Sequence, residues 1–281
     1  MTRPTANAFT ELRARERVRA VLDPGTFREI LDPFAGVESP HLALQGIVPQ
    51  ADDGAVIGRG TIDGTSAVVL ALDGGFQGGG IGEVSGAKLA ASLEQAVEDN
   101  RRGIPTRAVV LLETGGIRLQ EANLGLLAIA EIHSALVELR TYGPVIGIVA
   151  GTVGCFGGMG IAAGLTSHLV MTRGGRLALN GPEVIETEAG VDELDSADRA
   201  GIWAMLGGAQ RVATARAEFL VDDDAAAIAA VVRQIHRDAP AETRPVRAER
   251  VEAGRRVLAA LDPTTRPTPE QFRTLSIEGS L

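Results

Sequence analysis

Two pairs of adjacent glycines stand where backbone amides could hold an anion. Each pair follows an apolar run that is typical of a buried strand and precedes a segment with helical character. With no side chains in the way, the amides at such a junction lie open at a helix N-terminus, where negative charge is stabilised. The pairs are Gly115-Gly116 and Gly157-Gly158.

If the two preceding strands are neighbours, N–H groups of both turns can converge on one oxygen atom and form an oxyanion hole. Losing one such donor typically raises a reaction barrier by about 3 kcal/mol. A single glycine pair is explained more simply as close packing of a helix on a sheet. Because the arrangement occurs twice, we predict that all four amides stabilise an oxyanion.

Side chains that could donate a proton beside these turns are few. Glu186 lies in NGPEVIE and is retained as the candidate acid, although Glu183 and Glu186 are more typical of carboxylates in a first helical turn. His133 and His168 lie in apolar segments, which favours structural roles. Cys155 has no histidine in a pairing position, so we interpret it as a small core residue.

Composition excludes several classes of protein. The net charge of −9 and the lack of a basic, aromatic-interleaved stripe argue against nucleic-acid binding. A single cysteine excludes a disulfide framework and a multi-cysteine zinc site within this chain. The acidic cluster Asp192–Asp198 lacks the spacing of a Ca²⁺ loop, so we predict a solvated loop and no metal site.

The sequence also predicts where in the cell the protein is located. The N-terminal residues are polar and Arg-rich and lack the apolar segment of a signal peptide. The longest apolar runs, such as Ala108–Leu112, are too short to span a bilayer. We therefore predict a cytoplasmic protein.

Strand and helix patterns alternate through the middle of the chain, which predicts an α/β architecture. An amphipathic helix within residues 10–35 should end at Pro24-Gly25 and be followed by a short second helix. Asp63-Gly64 joins two strand-like segments and is typical of a hairpin turn. Further predicted helices and strands are Ala55–Gly60, Ala67–Leu72, Lys88–Asn100, Arg107–Leu112, Glu121–Arg140, Val145–Ala150, Leu169–Thr172, Arg176–Leu179, Ile202–Leu206, Arg216–Val221 and Ala225–Arg237.

Domain organisation follows from composition along the chain. We predict one α/β domain over residues 1–238 that includes the N-terminal helical segment. Residues 239–281 form a Pro- and Arg-rich tail around one helix at Ala248–Leu261. The sequence leaves two interpretations of this tail open: an extension that docks on a partner, or a surface helix of the same domain.

Several motifs carry a resemblance to a known family. The strand, glycine turn, GGM helix start and HLVMT strand resemble the crotonase superfamily. RARERVRAVLDPGTFREI, ETGGIRLQEA and LALNGPEVIE are similar to its carboxyltransferase branch. FQGGGIGEVSGAK and NGPEVIETEAG resemble, most specifically, the β subunits of biotin-independent malonate decarboxylases, from about residue 10 to residue 235. The resemblance implies a ClpP/crotonase ββα superhelix in a single domain, with N-terminal helices and a C-terminal helical tail.

The resemblance also implies an activity. Such a subunit, together with a homologous γ subunit, decarboxylates malonyl-thioester on an acyl carrier protein to acetyl-thioester and CO₂. The glycine-pair amides would hold the enolate oxygen, and this chain would bind no cofactor of its own. The carrier protein partner would bear a CoA-derived prosthetic group, and the assembly would be a hetero-oligomer.

Substrate-binding residues are implied in the same way. Gly78 and Gly79 lie in the glycine-rich loop Phe76–Gly82 and are expected near the substrate. Lys88 is expected at the phosphates of the carrier's pantetheine arm. Arg118 and Gln120 would orient a carboxylate, although a solvated face is the default interpretation of both side chains.

Two other functions compete with this one. The first is a carboxyltransferase subunit of a biotin-dependent acyl-CoA carboxylase. Bacterial acetyl-CoA carboxylase β subunits usually carry a four-cysteine zinc ribbon, which a chain with one cysteine cannot form. The second is a non-catalytic scaffold that completes a partner's site.

Overall fold

A computed structural model of the chain describes residues 8–51, 53–238 and 247–278. The strands in these residues are β1 (Arg28–Ile30), β2 (Ala55–Ile62), β3 (Thr65–Leu72), β4 (Thr106–Leu111), β5 (Val145–Val149), β6 (His168–Thr172) and β7 (Phe219–Val221). The helices are α1 (Ala14–Val21), α2 (Glu83–Arg101), α3 (Ala122–Leu139), α4 (Gly157–Leu165), α5 (Pro182–Ala189), α6 (Arg199–Leu206), α7 (Gly208–Ala213), α8 (Ala225–Asp238), α9 (Arg247–Ala259) and α10 (Pro269–Glu278).

The seven strands form one sheet in the order β1-β2-β3-β4-β5-β6-β7. The first three pair antiparallel, and β3 to β7 run parallel. The hairpin between β2 and β3 turns at Asp63 (φ 47°) and Gly64 (φ 73°), the two positive φ angles that a type I′ turn requires. Helices α2, α3 and α4 connect the successive parallel strands β3 to β6, as parallel pairing demands.

Helices cover both faces of the sheet, which explains its nearly continuous apolar strands. On one face α2, α3 and α4 bury Leu93, Ile132 and Met159 completely. On the other face α1 and α8 bury Val18 and Val232. Each such side chain stabilises the fold by about 1.5–3 kcal/mol relative to an exposed position.

Beyond the carboxyl ends of the parallel strands, the chain makes a second, shorter layer of parallel pairing. Isolated bridges join Ile81 to Ile117, Thr114 to Cys155, and Cys155 to Leu177. After each of the strands β3 to β6, the chain therefore forms a short bridged segment before the next helix begins. This is the predicted ββα repeat of an α/β domain, and the prediction is confirmed.

Some predicted elements are wrong in detail. The short second helix after Pro24-Gly25 is instead the edge strand β1, followed by a single 3₁₀ turn at Pro33–Ala35. The predicted strand Arg176–Leu179 makes only isolated bridges. Helix α2 begins at Glu83, five residues before its predicted start.

The tail holds two helices in its described part, one more than predicted. Helix α9 matches the predicted segment, and α10 follows it. Gln210 of α7 donates a hydrogen bond of 2.8 Å from Nε2 to the carbonyl of Pro269 at the start of α10. The predicted boundary at residues 238 and 239 falls on 239–246, outside the described residues. No helix of the described chain has the length and apolar character needed to cross a membrane.

Candidate active site

The two glycine pairs lie in two turns that touch each other. We call residues 113–117 the first turn, which follows β4, and residues 151–158 the second turn, which follows the neighbouring strand β5. Thr114 N–H donates to the carbonyl of Gly154 at 2.8 Å, and Phe156 N–H donates to the carbonyl of Thr114 at 3.0 Å. A Cβ built on Gly157 would lie 3.2 Å from the Gly116 Cα. The absence of side chains therefore allows the turns to meet.

In the first turn both glycine N–H groups donate within the chain. Gly115 N–H donates to the Gly78 carbonyl at 2.8 Å. Gly116 N–H donates to the Thr114 hydroxyl at 3.0 Å. Gly116 has φ +121°, a conformation that residues with side chains rarely adopt. The glycines here give the turn its shape and join it to the loop at Gly78.

In the second turn, one glycine N–H donates within the chain and the other does not. Gly157 N–H donates to the Leu179 carbonyl at 2.6 Å. The N–H groups of Gly158 and Met159, at the N-terminal end of α4, have no hydrogen-bond acceptor within the described parts of the chain. The first N–H groups of a helix have no partner inside it, so they point to an outside acceptor. Of the four amides predicted to hold an oxyanion, Gly158 N–H is the one that donates to no atom of the described residues.

The position of Gly158 is fixed by its neighbours. A Cβ on Gly158 would lie 2.7 Å from Ile129 Cγ2, so α4 begins in close contact with α3. The ring of His133, also on α3, places Nε2 2.9 Å from the Gly158 carbonyl oxygen. His133 was predicted to be structural, and this contact makes it a support of the second turn.

The glycine-rich loop closes one side of the site. Gly78 and Gly79 have φ +63° and +67°. A Cβ on Gly79 would lie 2.0 Å from the Glu113 carbonyl oxygen, so only glycine lets this loop approach the first turn. The structure therefore brings both predicted glycines beside the turns.

Lys88 lies in the interior. Its side chain is 5% exposed, and Nζ contacts Asp53 Oδ1 at 3.2 Å and the Ala55 carbonyl at 2.9 Å. The predicted contact with a phosphate would first require this buried ion pair to open. In the structure Lys88 joins α2 to the start of β2.

Arg118 and Gln120 line a narrow cavity of about 80 Å³ beside the glycine-rich loop. Phe76 and Asp53 also line it. Two buried atoms on its wall, Arg118 Nε and Asp53 Oδ2, have no hydrogen-bond partner among the described residues. Two of the residues that line the cavity thus each keep one buried polar atom without a partner, a donor on Arg118 and an acceptor on Asp53.

The candidate acid Glu186 is not built as a proton donor. Hydrogen bonds from the Ser196 hydroxyl and N–H lower the pKa of its carboxyl, so it is ionised at neutral pH. Cys155 is fully buried, and burial raises the pKa of its thiol, which suits the predicted core role. Among the described residues no group of three or more His, Cys, Asp or Glu side chains is placed to hold a metal ion.

One buried ion pair near the turns was not predicted from the sequence. Arg17 of α1 donates to the carboxylate of Glu113, the first residue of the first turn. Their side chains are 9% and 7% exposed. Because the two residues are 96 positions apart, no local spacing reveals the contact. Arg17 does lie in the motif RARERV, which was the available signal.

The sequence of this chain is similar to those of several known proteins. The carboxyl transferase domain family matches residues 7–275. Malonyl-S-ACP:biotin-protein carboxyltransferase MADC of Malonomonas rubra is 42% identical over 226 residues, which cover 77% of this chain and 71% of that protein. The methylmalonyl-CoA carboxyltransferase 12S subunit of Propionibacterium freudenreichii is 32% identical, over 76% of this chain and 38% of that subunit. This chain therefore spans less than half of the 12S subunit.

A solved structure is more similar still. A chain of the Pseudomonas malonate decarboxylase hetero-tetramer, crystallised in complex with malonate, superposes with a TM-score of 0.90 at 56% sequence identity. The match covers 96% of this chain and 98% of that one. The crotonase-like fold and the resemblance predicted from the sequence are confirmed. This chain belongs to the carboxyl transferase family, among the subunits of malonate decarboxylase type.

Proposed function

We propose that this chain, paired with a homologous γ subunit, decarboxylates malonyl-thioester carried by an acyl carrier protein. The observation that carries the proposal is the Gly158 N–H, which lies unengaged at the start of α4 against the first turn. A helix N-terminus in this position favours negative charge. The Pseudomonas relative is a malonate decarboxylase hetero-tetramer, which supports the activity and the hetero-oligomer.

The reaction needs one charge to be stabilised. The bond between the α carbon and the carboxyl carbon breaks, CO₂ leaves, and the electron pair moves onto the thioester as an enolate. The enolate oxygen carries more negative charge than the ground-state carbonyl, so a fixed N–H donor lowers the barrier. Gly158 N–H is the donor that this chain would supply, because Gly116 N–H already donates to the Thr114 hydroxyl.

The proton that completes the acetyl group comes from water or from the partner chain. The Glu186 carboxyl is ionised at neutral pH, and the Cys155 thiol is buried with a raised pKa. Neither group is a suitable acid. In this proposal the present chain stabilises the enolate oxygen, and the partner chain contacts the opposite side of the substrate.

The prosthetic arm of the carrier would lie along the glycine-rich loop at Gly78 and Gly79, next to the narrow cavity. Two residues that line this cavity, Arg118 and Asp53, each keep one buried polar atom without a partner among the described residues, which supports a polar ligand group here. A pantetheine arm consists of methylene groups and secondary amides, and each amide has one donor and one acceptor. The arm is the substrate's carrier group, and this chain would supply its binding surface.

The test uses the assembled subunits with malonyl-carrier protein and measures CO₂ release and acetyl-carrier protein by mass spectrometry. We expect turnover without biotin and no inhibition by avidin. Turnover that requires a biotinyl protein would overturn the proposal.

A second function is favoured by one observation, the identity of 42% to a relative named for carboxyl transfer from malonyl-S-ACP to a biotin protein. In that case the same enolate forms, but the carboxyl group passes to biotin. Labelled carboxyl recovered on added biotinyl carrier protein would identify this function. A scaffold role without catalysis predicts that changes at Gly158 leave turnover intact.

A further inference from the structure

Glu113 is placed to connect the two glycine turns. Its backbone belongs to the first turn, and its Oε1 accepts a hydrogen bond of 3.3 Å from Val153 N–H in the second turn. Its Oε2 accepts from Arg17. One buried carboxylate therefore joins both turns to α1.

The surroundings of this carboxylate are shaped to admit it. A Cβ on Gly151 would lie 1.9 Å from the Glu113 carboxyl carbon, and a Cβ on Gly74 would lie 2.7 Å from it. Glycine at both positions makes room for the Glu113 side chain between the second turn and the loop after β3. The carboxylate thus occupies the space that two side chains would otherwise fill.

Arg17 is itself held on three sides. Its Nε donates to the Phe9 carbonyl at 3.0 Å, and a second guanidinium nitrogen donates to the Thr10 carbonyl at 2.9 Å. Thr10 N–H in turn donates to Asp223 Oδ1 at 3.0 Å, just before α8. A planar guanidinium with fixed acceptors has little freedom, so it holds the carboxylate in one orientation.

We propose that Glu113, held by Arg17, is a positioning residue that fixes the second turn against the first and so sets the place of the Gly158 amide. The inference rests on the proposed function, because the amide acts only if an enolate forms. The hydrogen bonds of the Glu113 carboxylate are to Val153 N–H and Arg17, so its role is to hold the two turns together. A displacement of the amide by about 1 Å can reduce turnover on the order of 100-fold.

The test compares Glu113→Gln with Asp99→Asn in the assembled complex. Asp99 accepts from Arg59 at 2.7 Å, and this pair also joins residues distant in sequence, but far from both turns. For Glu113→Gln we expect kcat to fall on the order of 100-fold, with KM for malonyl-carrier protein within threefold of wild type. Asp99→Asn should leave kcat within twofold.

A second readout does not depend on activity. Amide hydrogen exchange over residues 153–158 should become at least about tenfold faster in Glu113→Gln and stay unchanged in Asp99→Asn. Unchanged exchange, or faster exchange with kcat preserved, would overturn the proposal. If the wild-type complex does not decarboxylate, the proposed function has failed, and the exchange rates alone decide whether Glu113 holds the turn.

A milder variant covers the case in which Glu113→Gln does not fold. Arg17→Lys keeps the positive charge beside Glu113 but loses the planar guanidinium and its contacts with Phe9 and Thr10. We expect an intermediate loss of kcat, on the order of 10-fold, with faster exchange in the second turn. Wild-type kcat and exchange in Arg17→Lys would overturn the proposal.

Discussion

In the first turn both glycine N–H groups donate inside the chain, whereas the second turn leads into two N–H groups at the start of α4, those of Gly158 and Met159, that have no acceptor among the described residues. The two glycine pairs are similar in sequence, but their N–H groups therefore have different roles. The first turn supports its neighbours, because its amides hold the glycine-rich loop and its own Thr114 hydroxyl. The second turn ends at Gly158, whose N–H is left for an acceptor outside the described chain. Changes at the glycines of the first turn should thus appear mainly in stability, and changes at Gly158 mainly in turnover.

The largest expected effect is that of Gly158→Ala. The added Cβ would lie 2.7 Å from Ile129 Cγ2, so the start of α4 must move away from α3 and carry its amide with it. We expect decarboxylation by the assembled complex to fall about 10²–10³-fold, the loss typical of one missing oxyanion donor.

Gly164→Ala is the matched control on the same helix, because nothing lies within 4 Å of a Cβ there. Its turnover should equal that of wild type. If Gly158→Ala kept full turnover while the subunits assembled, the distinction between the turns would be lost and the scaffold function would gain support.

Gly116→Ala tests the first turn. Because Gly116 has φ +121°, an alanine there is strained, and we expect the free energy of unfolding to fall by about 1–3 kcal/mol. Gly115→Ala is the control, since its φ is not positive and its Cβ would lie 3.4 Å from the Gly78 carbonyl. Equal unfolding midpoints in urea for the two variants would contradict the role given to the first turn.

A third test uses pH to show that acid sensitivity arises away from both turns. Burial raises the pKa of Asp23, but hydrogen bonds from Gly64 N–H, the Thr61 hydroxyl, Asp63 N–H and Arg233 outweigh it and lower the pKa to about 2. The folded carboxyl thus holds its proton less tightly than the unfolded one, whose ordinary value is 3.8. The stabilisation is present above about pH 4 and disappears as the pH falls to about 2.

Asp23→Asn should remove that part of the pH dependence. We expect the variant to be less stable than wild type at pH 6 by about 1–3 kcal/mol, a typical value for hydrogen bonds to a charged group. The difference should vanish near pH 2. Urea unfolding at several pH values measures it, and a constant difference from pH 6 to pH 2 would show that the Asp23 charge is not responsible.

The smallest effect is expected for Glu186→Gln. Its carboxyl already has a lowered pKa and accepts from Ser196 N–H at 2.6 Å, so it serves the loop after α5 rather than proton transfer. Turnover should change by less than about threefold, and the pH profile of kcat should keep its shape. Loss of the acidic or basic limb of that profile would restore Glu186 as the acid.

Local patterns predicted much of the fold. The apolar runs ending in glycine identified β4 and β5, and the Asp63-Gly64 signal identified the hairpin, because both depend on nearest neighbours in sequence. Edge strand β1 was missed since three residues show no alternation. The start of α2 was missed because its first turn lacks the apolar spacing seen after Lys88. Gly86 lies in that part of the helix, and its lack of a side chain lets α2 approach Ala128 of α3, 2.5 Å from a built Cβ.

The candidate site was predicted less completely. Sequence located all four glycines, but which amides are engaged depends on acceptors such as the Leu179 and Gly78 carbonyls, which only folding brings close. Likewise, Lys88 looked available for a phosphate until the fold enclosed it with Asp53. Residue type and spacing predict the kind of chemistry. Whether each N–H donor already has an acceptor depends on the tertiary structure.

The burial of Lys88 and Cys155 has a practical consequence. They are the chain's single lysine and single cysteine, and both lie in the core. Alkylating or acylating reagents aimed at these side chains can react only when the surrounding structure opens. Lys88 contacts the start of β2, and Cys155 lies in the layer between the two turns. Their labelling rates in the native protein would therefore measure the opening of two separate regions without any introduced probe.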